Sequence, residues 1–261
     1  YQNFEPLRST CADTLTAASP CPYVVSFYDA FINPSEGNVT IIVEYMDGGS
    51  LQDIVDTGGC NSESVLANIS WRLLQGVAFI HSRRQIHRDI KPGNLLINHV
   101  GDVKVSDFGI VKEMGTAQSM ANTFVGTLTY MSPERISGEE YTYSSDMWSL
   151  GLSIMTVALG RFPLDTRGGY WGLLHSLREN DAPTLPEDEF SPTIVDFIRR
   201  MMAKDPAKRS TAADLLKHPF VAKCKPPPQT NSEPPPNESQ VDSSTARDEL
   251  DDIVRHVMDY R

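Results

Sequence analysis

The chain has 261 residues, of which 40% are hydrophobic and 22% charged, enough for the packed core of one large domain or two small ones. The formal net charge of −11 at pH 7 argues against nucleic acid or an anionic membrane surface as the main partner. The four cysteines have neither metal-ligand nor paired spacing and no apolar stretch is long enough to cross a bilayer, so a cytoplasmic protein is expected.

The first part of the chain predicts a small β structure. No signal peptide is found at the start of the sequence. The first residue is Tyr1 and not Met, so we expect a fragment. Residues 1–21 show no clear periodicity and are interpreted as irregular. The β-branched and aromatic runs Tyr23–Tyr28 and Val39–Tyr45 predict two strands, and the turn-forming residues 33–38 between them predict a hairpin.

The stretch 62–83 has the pattern of a helix with one buried face, because its apolar residues recur at intervals of three and four. His81, near the end of this helix, is interpreted as a surface or capping residue. The apolar positions are Val65, Leu66, Ile69, Leu73, Leu74, Val77 and Ile80.

The next stretch, 86–109, contains two acidic motifs. A His-Arg-Asp sequence at 87–89 is followed by Lys91 and Asn94, and an Asp-Phe-Gly sequence occupies 107–109. A single Asp-Phe-Gly would be weak evidence of function, whereas the two motifs at this spacing are specific.

Two short strands, 95–97 and 103–105, are predicted between the motifs, around the turn 98–102. An ordinary polar hairpin would explain this turn, but not the two acidic motifs and the asparagine that surround it. Together these motifs resemble the catalytic and metal-binding loops of eukaryotic protein kinases, H-R-D-x-x-x-x-N followed by D-F-G.

The resemblance implies phosphoryl transfer with ATP and Mg²⁺ as cofactors. Such a transfer needs a carboxylate base, oxygen ligands for Mg²⁺ and a cation near the transferred phosphate. By resemblance Asp89 is the base, Lys91 is the cation, and Asn94 and Asp107 are the metal ligands. The expected catalytic residues are therefore Asp89, Lys91 and Asn94.

The run Glu-Tyr-Met-Asp-Gly-Gly at 44–49 matches the hinge between the two lobes of a kinase, where backbone groups would bind adenine. Taken alone, the two glycines also fit an ordinary flexible turn. The ATP-binding residues that the resemblance implies are Val43, Glu44, Met46, Ser50, Leu96 and Asp107.

The segment that ends in Ser-Pro-Glu at 132–134 narrows the resemblance to MAP kinase kinases. Ser119 and Thr123 match the activation pair of that family, and each phosphate there would add about −1.5 to −2 charges. Two hydroxyl residues at this spacing are common in polar loops, but the Met-Ala-Asn-Thr-Phe-Val-Gly-Thr run at 120–127 favours the kinase interpretation.

The resemblance also implies residues that support the site. Glu134 is expected to pair with Arg209, and Asp146 to hold the backbone of the catalytic loop. Thr127 is expected to hydrogen-bond Asp89 and Lys91. The full set of supporting residues is His87, Arg88, Phe108, Gly109, Thr127, Glu134, Asp146 and Arg209.

The rest of the sequence predicts helices. An apolar helix is expected to begin near Ser144 or Ser145. Further helices are expected at about 170–178, 191–202 and 211–216.

The predicted fold is α+β and protein kinase-like: mainly the helical C-terminal lobe, with the hinge and about two strands of the small lobe. The last helix is amphipathic, and it would dock on the lobe, bind a partner or begin a further module. The predicted segments are 1–21 as an irregular remnant of the small lobe, 22–46 as small-lobe strands and hinge, 47–222 as the C-terminal lobe, 223–247 as a disordered Pro-rich linker and 248–261 as the amphipathic helix.

Three parts of a complete kinase are not found. No G-x-G-x-x-G precedes the strand at 39–45, no lysine precedes Lys91, and Glu5 is the candidate for the helix glutamate. We therefore expect the chain as given to be inactive.

Two functions remain open. The first is a dual-specificity MAP kinase kinase that phosphorylates threonine and tyrosine in the activation loop of a MAP kinase, after an upstream kinase activates it. The second is a small-lobe-deficient pseudokinase that acts as a scaffold of the cascade. A plain Ser/Thr kinase is a lesser rival of the first.

Overall fold

A computed structural model describes residues 5–6, 21–33, 38–107, 129–166 and 169–224. Within these ranges the chain has two small antiparallel sheets and a mainly helical body, so the predicted α+β fold is confirmed. The predicted C-terminal helix at 248–261 and nearly all of the predicted linker lie outside these ranges.

The first sheet contains β1 (Glu5–Pro6), β2 (Phe27–Asn33) and β3 (Asn38–Val43), in that order. β2 and β3 form the expected hairpin, with Ala30 opposite Ile41. Glu5 lies in a strand, so its interpretation as the helix glutamate is wrong.

The strand β2 begins later than the sequence predicts, because residues 23–26 run along a different strand. Val24 forms a parallel bridge with Val105, and the amide of Val25 donates to the Val105 carbonyl at 2.9 Å. The amide of Val105 in turn donates to the Tyr23 carbonyl at 3.0 Å. The base of the hairpin is therefore hydrogen-bonded to the second sheet.

The second sheet contains β4 (Gly49–Ser50), β5 (Leu95–Ile97) and β6 (Val103–Val105). β5 and β6 are the two short strands that the sequence predicts. Their outer residues are buried and their central residues, Leu96 and Lys104, are less buried. This sheet therefore packs one face into the core and turns the other towards the predicted hinge.

The helical body begins where the second sheet ends, and it includes the long helices that the sequence predicts. Short 3₁₀ turns occupy Pro92–Asn94 and Pro206–Lys208. The helices of the described ranges are α1 (Leu51–Asp56), α2 (Glu63–Ser82), α3 (Pro133–Ile136), α4 (Tyr143–Leu159), α5 (Gly169–Glu179), α6 (Pro192–Met201), α7 (Ala212–Leu215) and α8 (Pro219–Ala222).

The start of α4 differs from the expectation. Its N-cap is Thr142, and Ser145 is the third helical residue, whose hydroxyl accepts from the Thr142 amide. Neither Ser144 nor Ser145 is the cap. Three neighbouring hydroxyl residues surround this helix start, and the local pattern does not decide among them.

The core lies between α2, α4 and α6. Leu73, Trp148 and Phe197, one from each helix, are each 0% exposed. Burial of one such side chain contributes about 1.5–3 kcal/mol. This core fixes both ends of the loop that carries the acidic motif at 87–89. No helix in the described part of the chain is long and apolar enough to span a membrane.

Candidate active site

The loop between α2 and β5 carries the predicted catalytic residues. It leaves α2 after Ser82, passes through the acidic motif at 87–89 and enters β5 through the 3₁₀ turn Pro92–Asn94. Both flanking elements are packed in the core, so the loop is short and held at each end.

Asp89, Lys91 and Asn94 lie together in this loop. The Lys91 ammonium nitrogen is 3.1 Å from Oδ2 of Asp89, and the Asn94 amide donates to the same oxygen at 3.0 Å. The Asn94 amide also donates to the Asp89 carbonyl at 2.8 Å. Both bonds to the carboxylate use Oδ2, so within the described part of the chain Oδ1 has no protein donor and can receive a proton from a bound hydroxyl.

His87 joins the two acidic motifs. Its ring is buried; Nε2–H donates to the Ser106 carbonyl at 2.8 Å, and Nδ1 accepts from the Asp89 amide at 3.3 Å. Burial lowers the pKa of His87, despite the opposing charge of Asp146. A neutral imidazole with both nitrogens occupied serves packing and not proton transfer.

Asn94 and Asp107 are close through Ser106, whose amide and hydroxyl both donate to the Asn94 carbonyl, at 2.9 and 3.0 Å. The Asn94 amide nitrogen is engaged by Asp89, and none of the described residues bonds its side-chain oxygen. Asp107 is exposed and has a φ of 57°. An amide oxygen and a carboxylate fit Mg²⁺, which proteins bind through few carboxylates together with substrate phosphates.

Asp146 holds the backbone that precedes Asp89. Its carboxylate accepts from the amides of His87 and Arg88, at 2.8 and 3.0 Å, and from the ring of His81 at 2.9 Å. The side chain of His81 is only 14% exposed. The interpretation of His81 as a surface or capping residue is therefore wrong, because its ring is largely buried and bonds the carboxylate of Asp146, 65 residues further along the chain.

Glu134 and Arg209 form a buried, two-pronged ion pair. Both guanidinium Nη atoms donate to the carboxylate, at 2.9 and 3.0 Å, and the two side chains are 5% and 0% exposed. Burial alone would raise the pKa of Glu134, but the hydrogen bonds from Arg209 lead the effects that outweigh it and lower the pKa. The pair ties α3 to the loop before α7.

In the predicted hinge, the side chain of Glu44 points to β6. Its carboxylate accepts from the Ser26 amide at 3.0 Å and from the Lys104 ammonium. Burial opposes the charge, but the Lys104 hydrogen bond leads the effects that lower the pKa of Glu44. Among the described residues, the Glu44 carbonyl and the Met46 amide, which the resemblance assigns to adenine, make no backbone hydrogen bond outside the regular elements.

The other predicted ATP-binding residues lie on both sides of the hinge. Ser50 pairs with Leu96 across β4 and β5, while Val43 is 46% exposed and Met46 is 7% exposed. The Ser50 hydroxyl donates to Asp53 at 2.7 Å as part of the capping box of α1. Ser50 was predicted as an ATP-binding residue, and its bond to Asp53 was not predicted.

The two glycines of the hinge are required by geometry, so this segment is more than an ordinary flexible turn. A Cβ on Gly48 would lie 2.9 Å from the carbonyl oxygen of Ile97, and the φ of Gly49 is 85°. The amide of Gly48 donates to that same carbonyl at 3.0 Å. Glycine at both positions lets the hinge lie directly on β5.

Some predicted residues cannot be placed. Phe108, Gly109, Ser119, Thr123 and Thr127 lie outside the described residues. Conversely, Lys104 and Ser106 were not predicted as site residues. Lys104 lies between the two buried valines of β6, and this alternation is a sequence signal for a side chain on the hinge side of the sheet.

Known proteins with similar sequences identify the family of this chain. The family model for the protein kinase domain matches residues 12–221. The chain is 46% identical over 214 residues to mitogen-activated protein kinase kinase 1 of Arabidopsis thaliana, an alignment that covers 79% of this chain and 60% of that protein. It is 43% identical to mitogen-activated protein kinase kinase SIPKK of Nicotiana tabacum, over 83% of this chain and 63% of that protein.

A third relative, mitogen-activated protein kinase kinase 3 of Arabidopsis thaliana, is 44% identical over 78% of this chain and 40% of its own length. The chain thus spans about two fifths to three fifths of the length of these relatives. The matched region contains the whole loop with Asp89, Lys91 and Asn94 and the strand that leads to Asp107. The chain therefore belongs to the protein kinase family and, within it, to the MAP kinase kinases.

Proposed function

We propose that the complete protein transfers the γ-phosphate of ATP to threonine and tyrosine in the activation loop of a MAP kinase, in the cytoplasm. The observation that carries this proposal is the arrangement of Asp89, Lys91 and Asn94 around one carboxylate oxygen. The names of the relatives supply the substrate class.

Asp89 acts as the base in this proposal. Lys91 and Asn94 hold Oδ2, so the carboxylate presents Oδ1 to the hydroxyl of the substrate and accepts its proton. Lys91 is 30% exposed and can also face the transferred phosphate. Asn94 and Asp107 would hold Mg²⁺, which neutralises the charge that develops on the phosphate oxygens.

The test is the change Asp89→Asn in the complete protein, which keeps the shape of the side chain and removes its basicity. We expect phosphate transfer to a purified MAP kinase to fall about 10²- to 10⁴-fold, the usual contribution of a general base. Transfer is measured with radiolabelled ATP, and mass spectrometry identifies the phosphorylated residues. Circular dichroism checks that the fold is intact.

The matched control is Asp188→Asn, the same chemical change at an exposed residue between α5 and α6. It should transfer phosphate at the wild-type rate. If Asp89→Asn keeps more than a few per cent of the activity, Asp89 is not the base. If only serine and threonine are modified, a plain Ser/Thr kinase replaces the dual-specificity assignment.

Activation is proposed to follow phosphorylation of Ser119 and Thr123 by an upstream kinase. Phosphates at these positions would add acceptors able to recruit Arg88, which is next to the base. Replacement of both residues by alanine should block activation while leaving basal transfer measurable. Unchanged activation would place the switch elsewhere.

The alternative function is a scaffold of the same cascade. A scaffold would bind a MAP kinase or an upstream kinase without binding ATP. Calorimetry of the complete protein with Mg·ATP separates the two functions. Nucleotide binding together with transfer supports the kinase, and partner binding without either supports the scaffold.

A further inference from the structure

The peptide group between Arg88 and Asp89 is held at both ends. Its N–H, from Asp89, donates to His87 at 3.3 Å. Its carbonyl oxygen, from Arg88, accepts from the hydroxyl of Tyr141 at 2.9 Å. The orientation of this peptide plane determines where the Asp89 side chain begins.

The backbone here needs such support. Arg88 has a φ of 71°, in the left-handed region that residues with a side chain rarely adopt. The two backbone amides that donate to Asp146, those of His87 and Arg88, lie before the peptide that precedes Asp89. The hydroxyl of Tyr141 therefore supplies a contact that Asp146 does not.

Tyr141 is itself held in place from the other side. The guanidinium carbon of Arg135 lies 4.1 Å from the centroid of the Tyr141 ring, and Arg135 also donates to the Glu139 carbonyl. Arg135 belongs to α3, directly after the Ser-Pro-Glu sequence at 132–134. The phenol thus lies between α3 and the catalytic loop, and contacts both.

The hydroxyl of Tyr141 remains a donor throughout the physiological pH range. Burial of the phenol raises its pKa to about 12, although the positive charge of Arg135 acts in the opposite direction. A protonated phenol can donate to a carbonyl, whereas a phenolate cannot.

We propose that Tyr141 is a positioning residue of phosphate transfer: its hydroxyl fixes the Arg88 carbonyl and thereby the carboxylate of Asp89. This inference rests on the proposed kinase function. In this role Tyr141 connects α3 and the loop that follows it to Asp89, the proposed base. Tyr141 touches neither the substrate nor the nucleotide in this role, and acts only through Arg88.

The test is Tyr141→Phe in the complete protein, which removes one oxygen and keeps the ring beneath Arg135. Loss of one hydrogen bond should raise the deuterium exchange of the amides at 87–89 and lower kcat, each about 2- to 10-fold. The KM for ATP should be unchanged, because the hinge is untouched. A role in stability alone would leave kcat unchanged below the melting transition.

The matched control is Tyr143→Phe, the same change two residues further along the chain. The ring of Tyr143 contacts His81 at 4.8 Å between centroids, and the residue is 43% exposed. This variant should show wild-type exchange at 87–89 and wild-type kcat. Equal effects in both tyrosine variants would overturn the inference.

Further outcomes of these measurements separate a failure of the positioning role from a failure of the proposed kinase function. Unchanged exchange at 87–89 in Tyr141→Phe, or raised exchange with an unchanged kcat, overturns the positioning role. Absence of transfer in the wild-type protein would overturn the proposed kinase function instead. The exchange measurement does not depend on catalysis, so the two failures are distinguishable.

Discussion

The β2–β3 hairpin and the β5–β6 pair are built from the same kind of residue but differ in what covers them. Val39, Ile42 and Val43 of the hairpin are 49%, 43% and 46% exposed, whereas Val103 and Val105 of β6 are both 0% exposed. A hairpin without a covering layer is only marginally stable in water. Local β-propensity therefore favours both strand pairs, but only the β5–β6 pair is also stabilised by burial.

The candidate catalytic residues follow this division. Asp89, Lys91, Asn94 and Asp107 all lie on loops anchored by α2, β5 and β6. The hairpin contributes the predicted adenine edge, and its base is joined to β6 through Val24 and Val25. In the proposed function, phosphate transfer would therefore depend on the buried region, and nucleotide binding would depend on the junction.

The largest expected effect concerns the buried ion pair. Arg209→Met should lower the free energy of unfolding by about 3–5 kcal/mol, because Glu134 would remain buried without its partner. Urea denaturation followed by circular dichroism measures the loss. The matched control is Arg199→Met, whose pair with Glu187 has side chains that are 60% and 75% exposed. That change should cost less than about 1 kcal/mol, and equal losses would contradict the assigned burial.

The second prediction compares the two regions directly. Leu73→Ala in α2, at a residue that is 0% exposed, should cost about 2–5 kcal/mol through lost burial and the cavity left behind. Val39→Ala in the hairpin should change the stability by no more than about 0.5 kcal/mol. The free energies of unfolding of both variants are measured by the same urea titrations. A large loss for Val39→Ala would show that the hairpin is covered in solution, and would break the comparison.

The junction between the regions gives a smaller effect. Gly48→Ala would bring a methyl group to 2.9 Å from the Ile97 carbonyl, so the hinge must shift. We expect a loss of about 1–3 kcal/mol. Gly93→Ala is the control, because a Cβ there would meet no atom within 4 Å among the described residues, and it should stay within about 1 kcal/mol of the wild type. Similar losses for both would show that the hinge does not lie tightly on β5.

The smallest effect is a pH dependence in the helical body. A hydrogen bond from His218 is the main cause that lowers the pKa of Asp196, so folding favours the charged carboxylate. This contribution is present above the unfolded pKa of about 3.9 and is lost as the pH falls through the lower folded pKa. The stability difference between the wild type and Asp196→Asn should therefore shrink below about pH 4. Asp188→Asn serves as the exposed control, and a difference that grows in acid would contradict the assignment.

Local patterns predicted the elements whose period is regular. The helix expected at 62–83 is found as Glu63–Ser82, and the strands at 95–97 and 103–105 are found at those bounds. The short helix α1 was missed, although the Ser-x-x-Asp spacing of its capping box at 50–53 was a visible signal. Asp89, Lys91 and Asn94, which a known spacing identified, lie together as the resemblance implies.

Local spacing did not predict contacts between distant residues; the contacts of Glu134 with Arg209 and of Asp146 with the catalytic loop were expected from the family resemblance alone. His81 bonds Asp146 across 65 residues and Tyr141 bonds Arg88 across 53, and no local spacing predicts either contact. The strand expected at 23–28 begins instead at Phe27, because Val24 bridges to Val105 in the other sheet. Tertiary packing overrides propensity in such cases.

The bond between Asp146 and the amides of His87 and Arg88 also has a consequence for synthesis. These partners are 59 and 58 residues apart along the chain. At a translation rate of about 5–20 residues per second, the loop that carries the base leaves the ribosome about 3–12 s before its carboxylate anchor. During that interval water or a chaperone must satisfy those amides. A slowed ribosome between the codons for Arg88 and Asp146 would therefore lengthen the period in which the nascent loop lacks its anchor.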